Sequence, residues 1–250
     1  MKLITTVTLL LSTTLMVPSL AKADDTNSKG QFILGIGGGY ATSLYDKSED
    51  KGFAFPYLSY EKDRFSIGLS GLSYDVVQSD NLTFTAMVTP GESPDFPDKK
   101  PLYAGLKRDA SVDIGIGATY NFLGFYVEGT ALHDVTDKHG GHSLDAKLGT
   151  ALELGRFSLD FGIGARYRDD KLSNHLYGVK ASEANGLRAA YDAGSTVETY
   201  ASLSLMTPIS DRAAVVGSLE YRKVGNDVHN SPLVSRDDAY SAGIGVMYSF

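Results

Sequence analysis

The chain has 250 residues and a formal net charge of −7, because 30 acidic residues outnumber 23 lysines and arginines. Hydrophobic residues make up 42% of the sequence and aromatic residues 10%, which excludes a disordered chain. The absence of cysteine excludes disulfide bonds, thiolate metal sites and a cysteine nucleophile. The negative charge argues against a nucleic-acid partner, because neutralising phosphate groups requires a basic surface.

The first residues have the features of a secretory signal. Met1 and Lys2 form a short basic start, an apolar run follows over residues 3–20, and Ala21-Lys22-Ala23 offers a small-x-small cleavage pattern. We therefore predict a signal peptide over residues 1–23 and a mature chain over residues 24–250. No later stretch supplies the run of about 18 apolar residues that a membrane helix needs. The predicted destination is a soluble exported state or the outer membrane.

Apolar and polar residues alternate strictly in one segment after another, most clearly over residues 143–154, 156–167 and 240–250. Runs of this length match tilted strands that cross a bilayer, whereas the strands of soluble sandwiches are about 5 to 6 residues long. One face is apolar and aromatic, which suits lipid, and the other is rich in glycine and serine, which suits a narrow lumen. We therefore predict an all-β fold, a transmembrane antiparallel up-and-down β-barrel over residues 24–250.

Short and long connections alternate along the chain, which predicts ten strands with both termini in the periplasm. The short turns are predicted at residues 61–64, 121–124, 154–156 and 207–211. The long outer loops are predicted over residues 42–51, 76–108, 134–142, 169–194 and 225–238. Leu82 to Val88 also alternates, so twelve strands are the alternative, with a partner strand near residues 176–179. At either size we expect side chains to fill the interior.

Charged residues are scattered along the predicted inner face. They are Asp113, Glu128, Asp145, Asp160, Glu198 and Glu220, with Lys147, Arg166 and Arg222. Charges inside a membrane protein are costly unless they are paired or hydrated, so we expect an ion-paired network. A narrow path for cations is the alternative, and the small bore of such a barrel favours a structural plug of salt bridges.

Three histidines and an aspartate, His133, Asp134, His139 and His142, cluster around one predicted outer loop. Imidazole and carboxylate groups can bind zinc or copper, but this spacing fits no structural zinc pattern and the Gly-Gly loop is loose. We therefore assign no metal site and no cofactor. His142 next to Ser143 suggests a nucleophile and its base, yet adjacent strand residues face opposite sides, so we assign no catalytic residue.

Two further segments have distinctive composition. Glycines crowd residues 35–39 in a pattern that superficially resembles a dinucleotide-binding loop, but no helix follows, and an inner barrel face explains them better. Residues 90–101 contain four of the eight prolines, which predicts an exposed loop, open to recognition at the surface, that cannot form a strand.

Several motifs resemble the MipA/OmpV family of outer-membrane proteins. They are Leu-Tyr-Gly-Val at 176–179, Ser-Pro-Leu-Val at 231–234 ahead of the aromatic-ended strand at 242–250, and Gly-Leu-Ser-Tyr at 71–74. The resemblance spans essentially the whole predicted mature chain, although the proline-rich segment departs from the family pattern. It implies an outer-membrane barrel without catalytic residues. For the namesake it implies a scaffold that joins a lytic transglycosylase to a murein synthase, and other members are surface antigens linked to osmotic adaptation or adhesion.

The residues and the resemblance together predict a monomeric, non-enzymatic barrel in the outer membrane, surrounded by lipid and lipopolysaccharide. Its expected role is that of a scaffold or surface-interaction protein, with a lytic transglycosylase and a murein synthase as candidate partners. A small osmoregulated porin or an adhesin is the alternative. An outer-membrane hydrolase is the least favoured hypothesis.

Overall fold

A computed structural model describes residues 30–45, 51–97 and 100–250, so the predicted signal peptide lies outside the described residues. Within these ranges, twelve antiparallel strands form a closed barrel in which β1 pairs with β12. The strands are β1 Gln31–Ala41, β2 Lys51–Lys62, β3 Phe65–Gly68, β4 Gly71–Gln78, β5 Leu82–Pro90, β6 Val112–Phe122, β7 Phe125–Asp134, β8 His142–Leu154, β9 Phe157–Arg168, β10 Thr196–Ser210, β11 Ala213–Val224 and β12 Asp238–Ser249.

The period-2 pattern gives the wall two different faces. Large apolar side chains point outward along every long strand, as with Ile36, Ile163 and Ile244, which are 71%, 50% and 65% exposed. The inner face carries glycine, serine and charged residues that are buried or half-buried. An apolar outer surface of this extent is stable in lipid and would aggregate in water. The predicted membrane barrel is confirmed.

Apart from the tight turn between β3 and β4, the short turns and the long connections lie at opposite ends of the barrel. The predicted turns at 61–64, 121–124 and 154–156 are confirmed, and β10 runs on to Ser210, so that the turn there is residues 211–212. The long connections cover residues 42–50, 91–111, 135–141, 169–195 and 225–237. Because bacterial barrels have short periplasmic turns, the long connections lie at the cell surface.

The prediction of ten strands is wrong, and its twelve-strand alternative has the correct number. The expected strand over residues 65–75 is a hairpin, β3 and β4, and β5 lies inside the expected loop over residues 76–108. No strand forms at residues 176–179, where a helix ends. A signal for the hairpin was present, because the lipid-facing residues change from odd positions at Ile67 to even positions at Leu72 and Tyr74.

The short β3–β4 hairpin leaves a notch in the outer half of the wall. The last pair between β2 and β3 is Ser59 with Gly68. From there towards the outer end of the barrel, β2 pairs with β1 and with no other described strand. Across the gap, β5 extends to Pro90, beyond its last pair with β4 at Val88. We call this opening the notch, bounded by residues 52–57, 69–70 and 89–90.

The outer connections fold over the mouth of the barrel and form a cap, which we define as residues 91–111, 169–195 and 225–237. Helix α1, Asp170–Tyr177, begins where the Asp169 side chain accepts a hydrogen bond from the Leu172 amide at 2.9 Å. Helix α2 is Asn226–His229, and 3₁₀ turns form at Pro101–Tyr103 and Ala181–Glu183. None of the helices in the described ranges is long and apolar enough to cross a bilayer.

Two apolar clusters form the interior of the cap. Leu172 and Leu176 of α1 pack with Val228 of α2, and Tyr103 packs with Leu233. All five side chains are buried. The long outer connections are therefore folded structure with their own core.

We expect Gly71→Ala to destabilise the barrel by about 1–3 kcal/mol. Gly71 has φ +117°, and a Cβ there would lie 2.1 Å from the Val88 carbonyl oxygen. Urea unfolding in lipid vesicles measures the loss. Gly217→Ala is the control, because a Cβ at Gly217 meets its nearest atom at 3.8 Å. Equal stability of the two variants would contradict this account of the turn.

Candidate functional site in the lumen and cap

Ion pairs join neighbouring strands on the inner face of the wall formed by β7 to β11. Lys147 lies 3.1 Å from Asp160, and Arg166 lies 2.9 Å from Asp145. The Tyr126 hydroxyl donates to Asp160 at 2.8 Å. Asp145 and Arg166 are opposite each other in the register of β8 and β9. Lys147 instead reaches Asp160 diagonally over Gly162, where a Cβ would lie 2.1 Å from the Lys147 side chain.

Glu198 is the centre of this network. Its carboxylate is 2% exposed and lies 3.6 Å from Arg166, 3.7 Å from Arg168 and 3.8 Å from Arg222. Because three guanidinium groups share this one buried carboxylate, removal of Glu198 would leave buried positive charge without its common partner. The predicted ion-paired network is therefore confirmed, and all the predicted inner charges lie on the inner face. They are Asp113, Glu128, Asp145, Asp160, Glu198, Glu220, Lys147, Arg166 and Arg222.

The proline-rich segment folds into this network. Arg168 is 1% exposed, and its Nη2 lies 2.8 Å from the Glu92 carboxylate, while its Nε donates to both carboxylate oxygens at 3.0 and 2.9 Å. Burial alone would raise the pKa of Glu92, but the guanidinium groups of Arg168 and Arg166 outweigh burial and lower that pKa to about 2. Glu92 is therefore ionised at neutral pH and anchors the segment inside the mouth.

The expectation of an exposed loop over residues 90–101 is wrong for most of its described part. Pro94 and Pro97 are buried, and Pro90 ends strand β5. The Phe96 ring stacks on Tyr103 with centroids 5.6 Å apart. The sequence contained no local signal for this placement, because the Arg168 partner of Glu92 lies 76 residues away along the chain.

Buried polar anchors join the parts of the cap. Arg108 donates to both oxygens of Glu183 at 2.7 and 2.9 Å, and its Nε donates to the His175 carbonyl at 3.0 Å. The Tyr103 hydroxyl donates to the Leu233 carbonyl at 3.0 Å. These bonds connect all three segments of the cap, which is therefore rigid where it covers the lumen.

The four residues of the predicted histidine cluster separate onto two faces. His133 and His142 are opposite each other on β7 and β8 and are exposed on the lipid side of the wall, whereas Asp134 and His139 are directed inward. The His142 Nδ1 lies 3.0 Å from the Asp169 carboxylate. Ser143 is buried on the inner face, so it does not share a face with His142.

The structure instead brings together Asp113, Asp134 and His139, whose ligand atoms lie within 4.8 Å of one another. Asp134 accepts three backbone N–H bonds at its Oδ2, from residues 138–140, at 2.8 to 2.9 Å. Through these bonds the Asp134 side chain holds the backbone of its own loop in place. The sequence missed Asp113 as a neighbour because it comes from a different strand.

Hydrogen bonds occupy both ring nitrogens of His139. Its Nδ1 accepts from the Gly141 amide at 3.0 Å, so the neutral ring carries its proton on Nε2, which lies 3.1 Å from the Ser111 hydroxyl. That hydroxyl donates to Asp113 at 2.9 Å. Because a metal ligand needs a lone pair on Nε2, this chain of bonds favours a structural role for the three residues.

The closed twelve-stranded wall, its apolar outer face, the short turns at one end and the folded cap at the other define an integral β-barrel protein of the bacterial outer membrane. The family model described as MltA-interacting protein MipA matches residues 34–250, and the chain belongs to this family. The resemblance found in the sequence motifs is thereby confirmed.

Three relatives match nearly the whole chain. YiaT of Escherichia coli (strain K12) is 27% identical over 239 residues, which cover 94% of this chain and 95% of the relative. The outer membrane protein Omp26La of Vibrio anguillarum is 28% identical, with 89% and 88% covered. The MltA-interacting protein of Escherichia coli (strain K12) is 25% identical, with 90% and 92% covered.

Replacing Glu92 should release the proline-rich segment. In Glu92→Gln the buried Arg168 loses its charged partner in the cap, and we expect a loss of about 3 kcal/mol in the stability of the closed mouth. Proteinase K cleavage within residues 91–97, on the folded barrel in vesicles, measures the opening. Lys107→Gln, which removes a charge at an exposed position of the cap, is the control and should leave the cleavage rate unchanged.

The stability of the cap should fall with acidification through His175. Burial, with the nearby His139 and Arg108, lowers the pKa of His175 to about 4, against about 6.5 in an unfolded chain. As the pH falls, the unfolded state therefore binds a proton at a higher pH than the folded state does. The free energy of unfolding keeps its full value above about pH 6.5 and decreases by up to roughly 3 kcal/mol as the pH drops towards 4.

Urea unfolding at pH 7 and pH 4.5 tests this dependence. His175→Phe should reduce the difference between the two pH values, whereas His229→Phe, at an exposed position on α2, should preserve it. An unchanged difference in His175→Phe would assign the acid sensitivity to other groups.

Proposed function

We propose that this protein is a non-enzymatic interaction barrel that works through the surfaces at its two ends. The observation that carries this proposal is the ion pair at the mouth, in which Glu92 of the cap is bound to Arg168 of the wall. We infer that this pair and the folded cap close the mouth, and a closed mouth is suited to docking a partner. The names of the three relatives describe membrane or interacting proteins and no enzyme.

The cap presents one exposed apolar contact point on a fixed turn. Leu187 is 61% exposed, although its neighbour Arg188 is buried and donates to the carbonyls of Glu183 at 2.9 Å and Ala104 at 3.0 Å. A rigidly held hydrophobic residue at the cell surface loses little conformational entropy when it binds a partner. This favours surface docking through the cap.

The second candidate function is a periplasmic scaffold for murein enzymes. It is supported by the relative that is named MltA-interacting protein. The periplasmic end of the described chain offers short turns, of which the β6–β7 turn holds Leu123 at 93% exposure. A scaffold would have to bind its enzymes through such turns or through residues 24–29.

Site-specific photocrosslinking in intact envelopes distinguishes docking through the cap from a scaffold function at the periplasmic turns. The crosslinker replaces Leu187 on the cap, Leu123 on the turn, or Ile163 on the lipid face as a control. Capture of a lytic transglycosylase or a murein synthase at Leu123 supports the scaffold, and capture of a surface protein at Leu187 supports docking through the cap. If all three positions capture lipid, lipopolysaccharide and assembly factors alone, the interaction proposal is wrong.

Conductance in a planar bilayer tests the alternative of a small porin. We expect the folded wild-type barrel to show no steady conductance, because the Glu92–Arg168 pair and the cap close the mouth. Glu92→Gln should then show intermittent openings. Steady conductance of the wild-type protein would contradict the closed lumen and support an osmoregulated channel.

The proposal includes export by a signal peptide over residues 1–23 and the absence of catalysis. Amino-terminal sequencing of the envelope form should begin at Asp24. Alanine replacement at His133, His139 and His142 should leave any hydrolytic activity of the purified barrel unchanged, whereas a loss of hydrolysis would support the hydrolase hypothesis.

A further inference from the structure

The notch exposes a strand edge inside the membrane-spanning wall. Residues 52–57 of β2 pair with β1 on one side, and no strand of the described chain pairs with their other side. At about 3.3 Å per residue this edge is roughly 20 Å long. Its upper end is near Lys51, which pairs with Ala41 at the outer end of β1, so the notch faces the outer leaflet.

The backbone groups of this edge that face the notch, and that no described strand pairs with, can be assigned from the hydrogen bond at its lower end. The Leu58 carbonyl accepts from the Leu69 amide at 3.2 Å, so Leu58 directs its backbone groups towards the notch. Because these directions alternate along a strand, Pro56, Ala54 and Gly52 also face the notch. Unpaired backbone groups in hydrocarbon cost several kcal/mol each, so the membrane must supply partners where the protein does not.

Proline occupies the deepest of these positions. Pro56 has no N–H to leave unsatisfied, and a proline on an exposed edge disfavours the addition of another strand, including one from a second copy of this chain. Ala54 and Gly52 are closer to the outer surface, where ester and amide carbonyls of outer-leaflet lipids can accept their N–H groups. The sequence of the edge therefore suits a lipid better than a strand.

An aromatic column covers the inner face of β2 beside the notch. Phe53, Phe55 and Tyr57 are directed inward and are half-buried. The rings of Phe55 and Phe53 lie where a Cβ on Gly37 or Gly39 would meet them at 2.5 and 2.7 Å, so these rings lean over the glycines of β1 and leave the other edge of β2 uncovered. The charged network is on β7 to β11, away from this column.

We propose that the notch binds an acyl chain of an outer-leaflet amphiphile. The acyl chain lies along the β2 edge beside Pro56, and its ester or amide carbonyls accept from the backbone of Gly52 and Ala54. This lateral site extends beyond the interaction function and does not depend on it.

Quenching by brominated lipid tests the site directly, because the natural chain has no tryptophan. Phe55→Trp places a single reporter on the inner face of β2 beside the notch, Tyr200→Trp places one on the inner face of β10 away from it, and Tyr74→Trp places one on the lipid face of β4 as the upper reference. In vesicles of phosphatidylcholine brominated along the acyl chain, we expect Phe55→Trp to be quenched several-fold more strongly than Tyr200→Trp.

Heat-modifiable migration on gels verifies that each variant is folded, and Tyr57→Trp replaces Phe55→Trp if the latter does not fold. Quenching at the notch no greater than at Tyr200→Trp would mean that the chain itself closes the opening, which overturns the proposal. The remaining possible occupant is a second copy of this chain. Ala54→Cys tests it, because the chain has no cysteine of its own and can form a disulfide only at this position. Disulfide-linked dimers in vesicles would show that a second copy fills the edge, and we expect monomers.

Discussion

The structure depends on the requirement that backbone N–H and C=O groups inside a bilayer be paired within the protein. Twelve strands meet this requirement by closing on themselves, with β1 paired to β12 from Ile33–Ser249 to Ala41–Ser241. Closure forces alternate side chains outward into lipid and inward into a narrow space. The notch is where the described wall departs from this rule, and Pro56 removes one of the donors that the departure would leave unpaired.

The narrow interior makes its charged residues interdependent. Glu198 lies within 3.8 Å of three arginines, and Arg168 extends the network to Glu92 in the cap. Buried ion pairs add little net stability over apolar packing, but loss of one member is expensive. The network therefore specifies one position of the cap relative to the wall, and the closure that we infer at the mouth follows from that position.

The cap changes what the outer end of the barrel can do. Connections of this length are commonly mobile, but here α1, α2 and the proline-rich segment share apolar clusters and buried hydrogen bonds. A surface that is already ordered can recognise a partner without paying for its own folding. The same order separates the predicted histidine cluster, since His139 is held inward by its bonds to Gly141 and Ser111.

The sequence by itself determined the fold class, the lipid-facing residues, most of the periplasmic turns and the inner charged residues, because a period of two is a local property of each strand. The number of strands was not predicted correctly, because the only sequence sign of the β3–β4 hairpin is a shift of the lipid-facing residues from odd to even positions. Tertiary structure decided the rest. The bond between Arg168 and Glu92, the meeting of Asp113 with His139 and the notch beside Pro56 depend on the register of a closed barrel, which brings together residues that are far apart along the chain.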